Sequence, residues 1–248
     1  MSLQKDKKNV DRTILAITDF TRSSTNTVLF AANLFKKSNL KFLFLHSYES
    51  PKDFLIFVED ILAKKSEAGL KKQSSEIATI LKQTNLDIST HSITDELKKA
   101  VSTIAQSEDI DLIVAGIPAD KYPCRTLNNI PMLFMGKAKH PILLVPEGSS
   151  EKPVKRVLTI NLDTRLLKNT FGKKFEDMVN HDHVAKHIIF INENIQHTAL
   201  SASIHKMLSH GETDLIILIP ASGDRIDRAL QGYKVQELYP AVVKLLAI

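Results

Sequence analysis

The sequence predicts an α/β fold made of two doubly wound parallel sheets, and three observations carry that expectation. Short, continuous apolar runs alternate with longer segments whose apolar residues recur at helical spacing. That alternation marks parallel strands buried on both faces by crossover helices. The runs also occur twice. Residues 13–19 (TILAITD) return as 155–163 (KRVLTINLD), and 110–120 (IDLIVAGIPAD) return as 213–224 (TDLIILIPASGD). The second copy then passes from its second strand straight to the next helix, with no counterpart of residues 51–93. A unit of this length is a whole domain, too long for a solenoid repeat. The chain is therefore expected to divide into residues 1–148 and a shortened unit at 153–248, joined by a short linker at 148–153 (GSSEKP).

Residues 13–19 are the first strand. Ser23, Ser24 and Thr25 offer caps for a helix that carries Val28, Leu29, Ala32, Leu34 and Phe35. Residues 41–47 (KFLFLHS) are the second strand. Pro51 opens a long helical stretch to residue 83, with Phe54, Phe57, Val58, Ile61 and Leu62 at helical spacing. Gly69 is expected to divide it. Residues 86–93 alternate as an edge strand does. Asp95 is expected to cap a helix with Leu97, Val101 and Ile104 on one face. Residues 111–116 are a fourth strand, 117–130 a loop, 131–139 a short helix and 141–146 (PILLVP) a fifth strand.

The second unit repeats a strand at 155–162, a helix to residue 180, a strand at 187–192, a helix at 198–209, a strand at 214–219 and a helix at 225–239. Residues 242–248 read equally as a strand or a helix end, because periodicity does not separate the two.

Right-handed crossovers place the first strand beside the second, after which the chain reverses towards the fourth. Ligands of such sheets bind where the order reverses, at the carboxyl ends of the first and fourth strands. Those ends are Asp19 and Gly116, and in the second unit Asp163 and Pro220. The fifth strand is apolar on both faces at a sheet edge, which invites pairing, and 242–248 is its expected counterpart. Loss of the third strand from the second unit uncovers strand 187–192. Its Ile188, Ile189, Phe190 and Ile191 call for cover. A second copy, giving a homodimer, or another protein is the expected partner.

Composition narrows the field further. The chain is 43% hydrophobic and 25% charged, which suits a soluble globular protein. No apolar run reaches the ~18 residues that suggest a membrane span. Residues 1–12 are polar and lack the apolar core of a secretory signal. The single cysteine, Cys124, excludes an internal disulfide and fits a reducing cytoplasm. A net charge of +5 without a basic tail gives nucleic-acid binding little support.

Residues 14–19 (ILAITD), Leu45-His46, 111–116 (DLIVAG) and 140–146 (HPILLVP), in this order and spacing, resemble the universal stress protein family in a tandem arrangement. The resemblance covers residues 12–146 and, more loosely, 153–248. It implies a five-stranded parallel sheet of order 3-2-1-4-5, shortened to 2-1-4-5 in the second unit. Sheets of this family often pair through their last strands.

ATP-binding members of the family carry a Gly-x2-Gly-x9-Gly-Ser/Thr pattern after the fourth strand. Its glycines let backbone N–H groups approach phosphates, and the hydroxyl adds a donor. On that pattern the first glycine is Gly116, the second is Ala119, and the later pair falls on Asn128 and Asn129. Ala119 adds a β-carbon, and Pro118 removes an N–H. Asn128 and Asn129 keep access to left-handed conformations and side-chain donors. Asp19 matches the aspartate that contacts the adenosine part of the nucleotide. In the second unit Pro220 and Gly223 take the glycine positions, with only Gln231-Gly232 near the later pair. Glycine supplies 8 of 248 residues, about half its usual ~7% share, in keeping with the lost glycines.

The resemblance thus implies a non-catalytic stress-response or interaction module whose nucleotide pocket is degenerate. The alternative is an adenine-nucleotide sensor using Asp19, Gly116, Asn128 and Asn129. No catalytic base or metal ligand is identifiable, so an enzyme is not expected, although slow ATP hydrolysis stays open. No resident cofactor is expected, and ATP or another adenine nucleotide is the ligand class left open.

Plainer readings stand beside these. Asp19 equally suits a helix cap, and Gly116 the turn after its strand. His181, His183 and His187 have metal-ligand spacing, but no cysteine or nearby glutamate completes a site. Cys124, beside Lys121 and Arg125, reads as a loop thiol. Lys64, Lys65, Lys71 and Lys72 read as a solvated helix face. Ser222-Gly-Asp is too common a tripeptide to mark a nucleophile.

Overall fold

The strand at residues 12–17 opens on Arg12 and Thr13 and then runs apolar through residues 14–17, which are buried. The structure, a computed structural model, describes residues 10–36, 38–49, 56–82, 86–117, 140 and 142–146, and the backbone of 156–161, 185–190, 215–219 and 241–244. In chain order the elements are β1 (Arg12–Ile17), α1 (Arg22–Leu34), β2 (Leu40–Tyr48), α2 (Ile56–Leu81), β3 (Asp87–Thr94), α3 (Leu97–Ser107), β4 (Leu112–Ile117) and β5 (Ile142–Pro146). Four strands follow: β6 (Arg156–Asn161), β7 (Ala185–Phe190), β8 (Leu215–Ile219) and β9 (Ala241–Lys244).

β1 lies between β2 and β4, parallel to both, with Ile14 opposite Phe42 on one side and Leu112 on the other. β3 pairs outside β2 and β5 outside β4, again in parallel. The first five strands therefore run 3-2-1-4-5, as the resemblance implies. Polar clamps set the register where the strands begin. Thr13 N donates to Asp111 Oδ2 at 2.9 Å, and Asp111 N returns a bond to Thr13 O at 2.9 Å. Asn39 N similarly donates to Asp11 Oδ2 at 2.8 Å.

Beyond β5 the sheet continues without a break. β5 pairs antiparallel with β9, with Leu143 opposite Val243 and Leu144 opposite Val242. β8 then pairs with β9, and β6 with β8 and β7, all in parallel. Among the described residues the order is β3-β2-β1-β4-β5-β9-β8-β6-β7. Of residues 242–248, left open between strand and helix end by their periodicity, 242–244 are thus strand and pair with β5, and 245–248 lie outside the described residues.

Alternation along the strands divides the core into two layers. Ile14, Ala16, Phe42, Phe44, Leu112, Val114, Leu143 and Val145 face α1 and α2, with Leu70 and Ile77 of α2 among them. Leu15, Ile17, Leu43, Leu45, Ile113, Ala115 and Ile142 face α3, meeting Leu97, Ala100, Val101 and Ile104. Burying a Leu, Ile or Phe side chain stabilises by about 1.5–3 kcal/mol, so the two layers together are the main source of stability. The lysines at 64, 65, 71 and 72 are exposed, as a solvated face requires.

Three local expectations are corrected. α2 is one unbroken helix of 26 residues through Gly69. A helical glycine costs about 1 kcal/mol against alanine, and here it makes room for a ring, as described below. The cap of α1 is Thr21 and not Ser23, Ser24 or Thr25. Asp95 does not cap α3. Glu96 holds that position without a side-chain bond, while Asp95 Oδ1 accepts from Glu96 N at 2.8 Å and pairs with Lys99 at 3.3 Å. The expected loop at 117–130 and the helices expected at 131–139, up to 180, 198–209 and 225–239 lie outside the described residues, apart from Ile117, which closes β4.

Candidate functional site

The carboxyl ends of β1, β2 and β4 meet where the strand order reverses, and Thr18, Asp19, Phe20, His46 and Gly116 gather there. Thr18 N donates to Leu45 O at 2.9 Å, which carries the β1–β2 ladder one residue past β1. The chain then turns sharply. Phe20 has φ 66°, a left-handed conformation that a bulky residue adopts only when its surroundings impose it. Those surroundings are on hand. Phe20 N donates to Thr18 Oγ1 at 3.0 Å. The Phe20 ring meets α2 at Gly69, where an added β-carbon would lie 2.7–2.9 Å from three ring atoms. The ring also packs on the His46 imidazole, with centroids 4.4 Å apart.

A buried polar network locks this turn to α2. Thr18 Oγ1 lies 2.5 Å from Gln73 Oε1 and 3.1 Å from Ser24 Oγ. Gln73 Nε2 donates to Ser24 Oγ at 3.1 Å and to Thr25 Oγ1 at 3.0 Å. Ser24 Oγ donates onward to Thr21 O at 2.9 Å. Thr18, Ser24 and Gln73 are all buried. Thr18 Oγ1 can give its one proton to Gln73 Oε1 and Ser24 Oγ its one to Thr21 O, so each buried side chain has a partner and the network holds α1, α2 and the β1 end together.

Asp19 sits just outside this lock, half-buried. Its Oδ1 accepts from Thr21 N at 3.1 Å and Thr21 Oγ1 at 2.6 Å. Thr21 Oγ1 accepts from Ser24 N at 3.4 Å. Asp19 therefore orients the residue that caps α1 and is not itself the cap. A carboxylate near a helix N-terminus is also favoured by the helix dipole.

Gly116 is not in a turn. It lies inside β4, paired with Val145, and α1 crosses directly over it. A β-carbon there would meet Ser23 Oγ at 2.6 Å, Thr27 Oγ1 at 2.8 Å and the Ser23 carbonyl carbon at 2.9 Å. Its missing side chain is used for helix–sheet contact. The other two predicted site residues, Asn128 and Asn129, lie outside the described residues, as do Pro118 and Ala119. The structure thus brings Asp19 and Gly116 to the same end of the sheet and gives each a packing role.

His46, on β2, is enclosed by Phe20 and by Tyr48, whose ring centroid is 6.0 Å away. Burial pushes its pKa below the usual value, and the nearby Asp19 carboxylate opposes that shift. Its Nδ1 lies 2.8 Å from Ser66 Oγ, the contact of a nucleophile with its base. Ser66 is only 2% exposed in the middle of α2, so a substrate cannot reach it and the pair is structural. Among the described residues no group of three His, Cys, Asp or Glu side chains could hold a metal ion. No helix among them is long and apolar enough to cross a membrane. The side chains of His181, His183 and His187 and of Cys124 lie outside the described residues.

Sequence reasoning missed Thr18, Phe20, Ser66 and Gln73. A signal existed for two of them: Ser66, Leu70, Gln73 and Ile77 follow helical spacing along the buried stripe of α2. Polar residues on such a stripe require partners.

The fold is shared with known structures. One is a universal stress protein from Archaeoglobus fulgidus DSM 4304, at TM-score 0.58 and 15% identity, covering 94% of this chain and 98% of that one. Another is a candidate universal stress protein from Pseudomonas aeruginosa UCBPP-PA14, at TM-score 0.52 and 11% identity, covering 96% and 94%. At such identities the likeness speaks for the fold alone. No curated protein sequence matches the chain significantly. The model of the universal stress protein family matches residues 12–146, more than half of the 248. The β1, β2, β4 and β5 residues that suggested the resemblance all fall within that match, and the chain belongs to the universal stress protein family.

Proposed function

We propose that this chain is a non-catalytic stress-response and interaction module of the cytoplasm, with two units of one fold in tandem and a degenerate nucleotide pocket in the first. The observation that carries this reading is the loss of the second glycine. Gly116 is kept, and it serves contact with Ser23 and Thr27 of α1. The sequence after β4 adds Pro118, without an N–H, and Ala119 in place of the second glycine. Asp19 is committed through Oδ1 to Thr21. None of these features supplies the backbone donors that triphosphate binding needs.

The reading extends to assembly. β7 ends the sheet, and its sequence AKHIIF is too apolar for an open edge. A second copy of the chain, in a homodimer, is the proposed cover.

Calorimetry with ATP and mass spectrometry of the purified protein test the pocket. The expected results are no micromolar binding and no co-purified nucleotide. A micromolar dissociation constant for ATP, or stoichiometric nucleotide in the preparation, would overturn the reading in favour of an adenine-nucleotide sensor. That alternative draws on one observation: Asp19 is held at the switch point of the sheet, where such ligands bind.

A further inference from the structure

His46 joins three elements through one ring. It is the register partner of Ser92 on β3, and Ser66 of α2 is bonded to both. His46 Nδ1 lies 2.8 Å from Ser66 Oγ, and Ser92 Oγ lies 2.7 Å from the same oxygen. Phe20 covers the ring from the loop after β1, and Tyr48 stacks on it from β2. A neutral imidazole suits this arrangement. The hydroxyl protons can run from Ser92 through Ser66 to Nδ1, or in the reverse order. Protonation removes Nδ1 as an acceptor, permits only one of these orders and leaves a charge in a half-buried aromatic stack.

We propose that His46 is an acid-sensitive latch, and that protonating its ring loosens α2 from the β2–β3 end of the sheet. The charges around the ring leave it without adequate compensation. Asp19, on the loop after β1, is the carboxylate that acts on it, and burial outweighs its effect. Around Ser66, the α2 residues three and four positions away are Leu62, Ala63, Gly69 and Leu70, none of them ionisable. Lys65 and Glu67 flank Ser66 but are exposed. β3 offers Thr90 and Thr94 on the side of Ser92, and β2 offers Phe44 and the phenol Tyr48. α2 is also the element that carries Gln73 and Gly69. Loosening it frees both the polar lock on Thr18 and the seat of the Phe20 ring. The latch acts whether or not a nucleotide binds near Asp19.

Amide exchange of the full chain, corrected for the intrinsic effect of pH, reads the latch directly. Peptides covering 62–70 in α2 and 97–104 in α3 are compared at about pH 7.5 and about pH 5. The α2 peptide should exchange about threefold faster or more at the lower pH, while the α3 peptide holds its rate. His46→Gln, which keeps a hydrogen-bonding group without a titration, should abolish the acceleration. His91→Gln should retain it. Equal α2 rates at the two pH values in the unmodified protein would overturn the proposal, whether or not the variants fold. Acceleration that persists in His46→Gln would overturn it as well.

Discussion

Ser23 Oγ lies 2.6 Å from the point that a β-carbon on Gly116 would occupy, and that hydroxyl is buried without a hydrogen-bond partner. Two expectations follow from this one contact. Gly116→Ala must displace α1, because the Ser23 backbone also lies within 2.9 Å, and should destabilise by about 1–3 kcal/mol. Ser23→Ala removes an unsatisfied polar group and should be neutral or stabilising by up to about 1 kcal/mol. Denaturant midpoints of the two variants check both. A Gly116→Ala protein of unchanged stability would show that α1 does not pack this tightly on β4.

Phe20 and Gly69 should behave as a coupled pair. Gly69→Ala adds a good helix former, worth about 1 kcal/mol in isolation, yet sets a methyl within 2.9 Å of the Phe20 ring. The single variant should therefore be destabilised. Phe20→Ala makes room for the methyl, so the double variant should be more stable than the two single effects added together. A double-mutant cycle with additive terms would refute the contact.

Leu143 is fully buried in β5 and stands opposite Val243 in the seam between the first five strands and the last four. Leu143→Asp should cost about 3–5 kcal/mol or abolish folding. Circular dichroism and soluble yield report the outcome. An unperturbed variant would mean that the seam is not formed.

Two half-buried histidines set an expected pH dependence. Burial lowers the pKa of His46, against Asp19; burial also lowers that of His91, against Glu108 and with help from Lys41. The unfolded chain, with its ordinary histidine value of 6.5, takes up these protons first. Stability should therefore fall as pH drops below 6.5 and level off once it passes the lowered folded values. His46→Gln and His91→Gln should each flatten part of that slope in urea titrations. A slope unchanged by either substitution would assign the protons elsewhere.

Restoring the family's glycine with Ala119→Gly should strengthen whatever weak ATP affinity exists, since it removes a β-carbon and frees the backbone. Calorimetry on the variant is the check, and an unchanged signal would trace the loss to Pro118 or to Asn128 and Asn129 instead.

The strand order of the first five strands was legible because it rests on long-range features of the sequence. Apolar runs at 13–19, 41–47 and 111–116 are unmistakable, and crossover handedness leaves few orders. Local details were less legible, since several residues could serve each role. Thr21, Ser23, Ser24 and Thr25 are all able to cap α1, and only the Asp19 contact selects Thr21. Asp95 and Glu96 compete similarly before α3. The site was legible only in part. Asp19 and Gly116 could be placed at the switch point, but their packing roles depend on α1 lying over β4. The positive φ of Phe20 is a tertiary effect, and Thr18 meets Gln73 across 55 positions. No local pattern encodes such a meeting.

The antiparallel contact between β5 and β9 has a consequence for how the protein responds to dilution. Strands on separate chains find one another at a rate set by their concentration. Here the partner strand is tethered, and its effective concentration is fixed by the intervening chain. Lowering the amount of protein in a cell cannot take this seam apart. A sheet edge that would otherwise be free to recruit another molecule is kept occupied at any abundance, leaving β3 and β7 as the two ends of the described sheet.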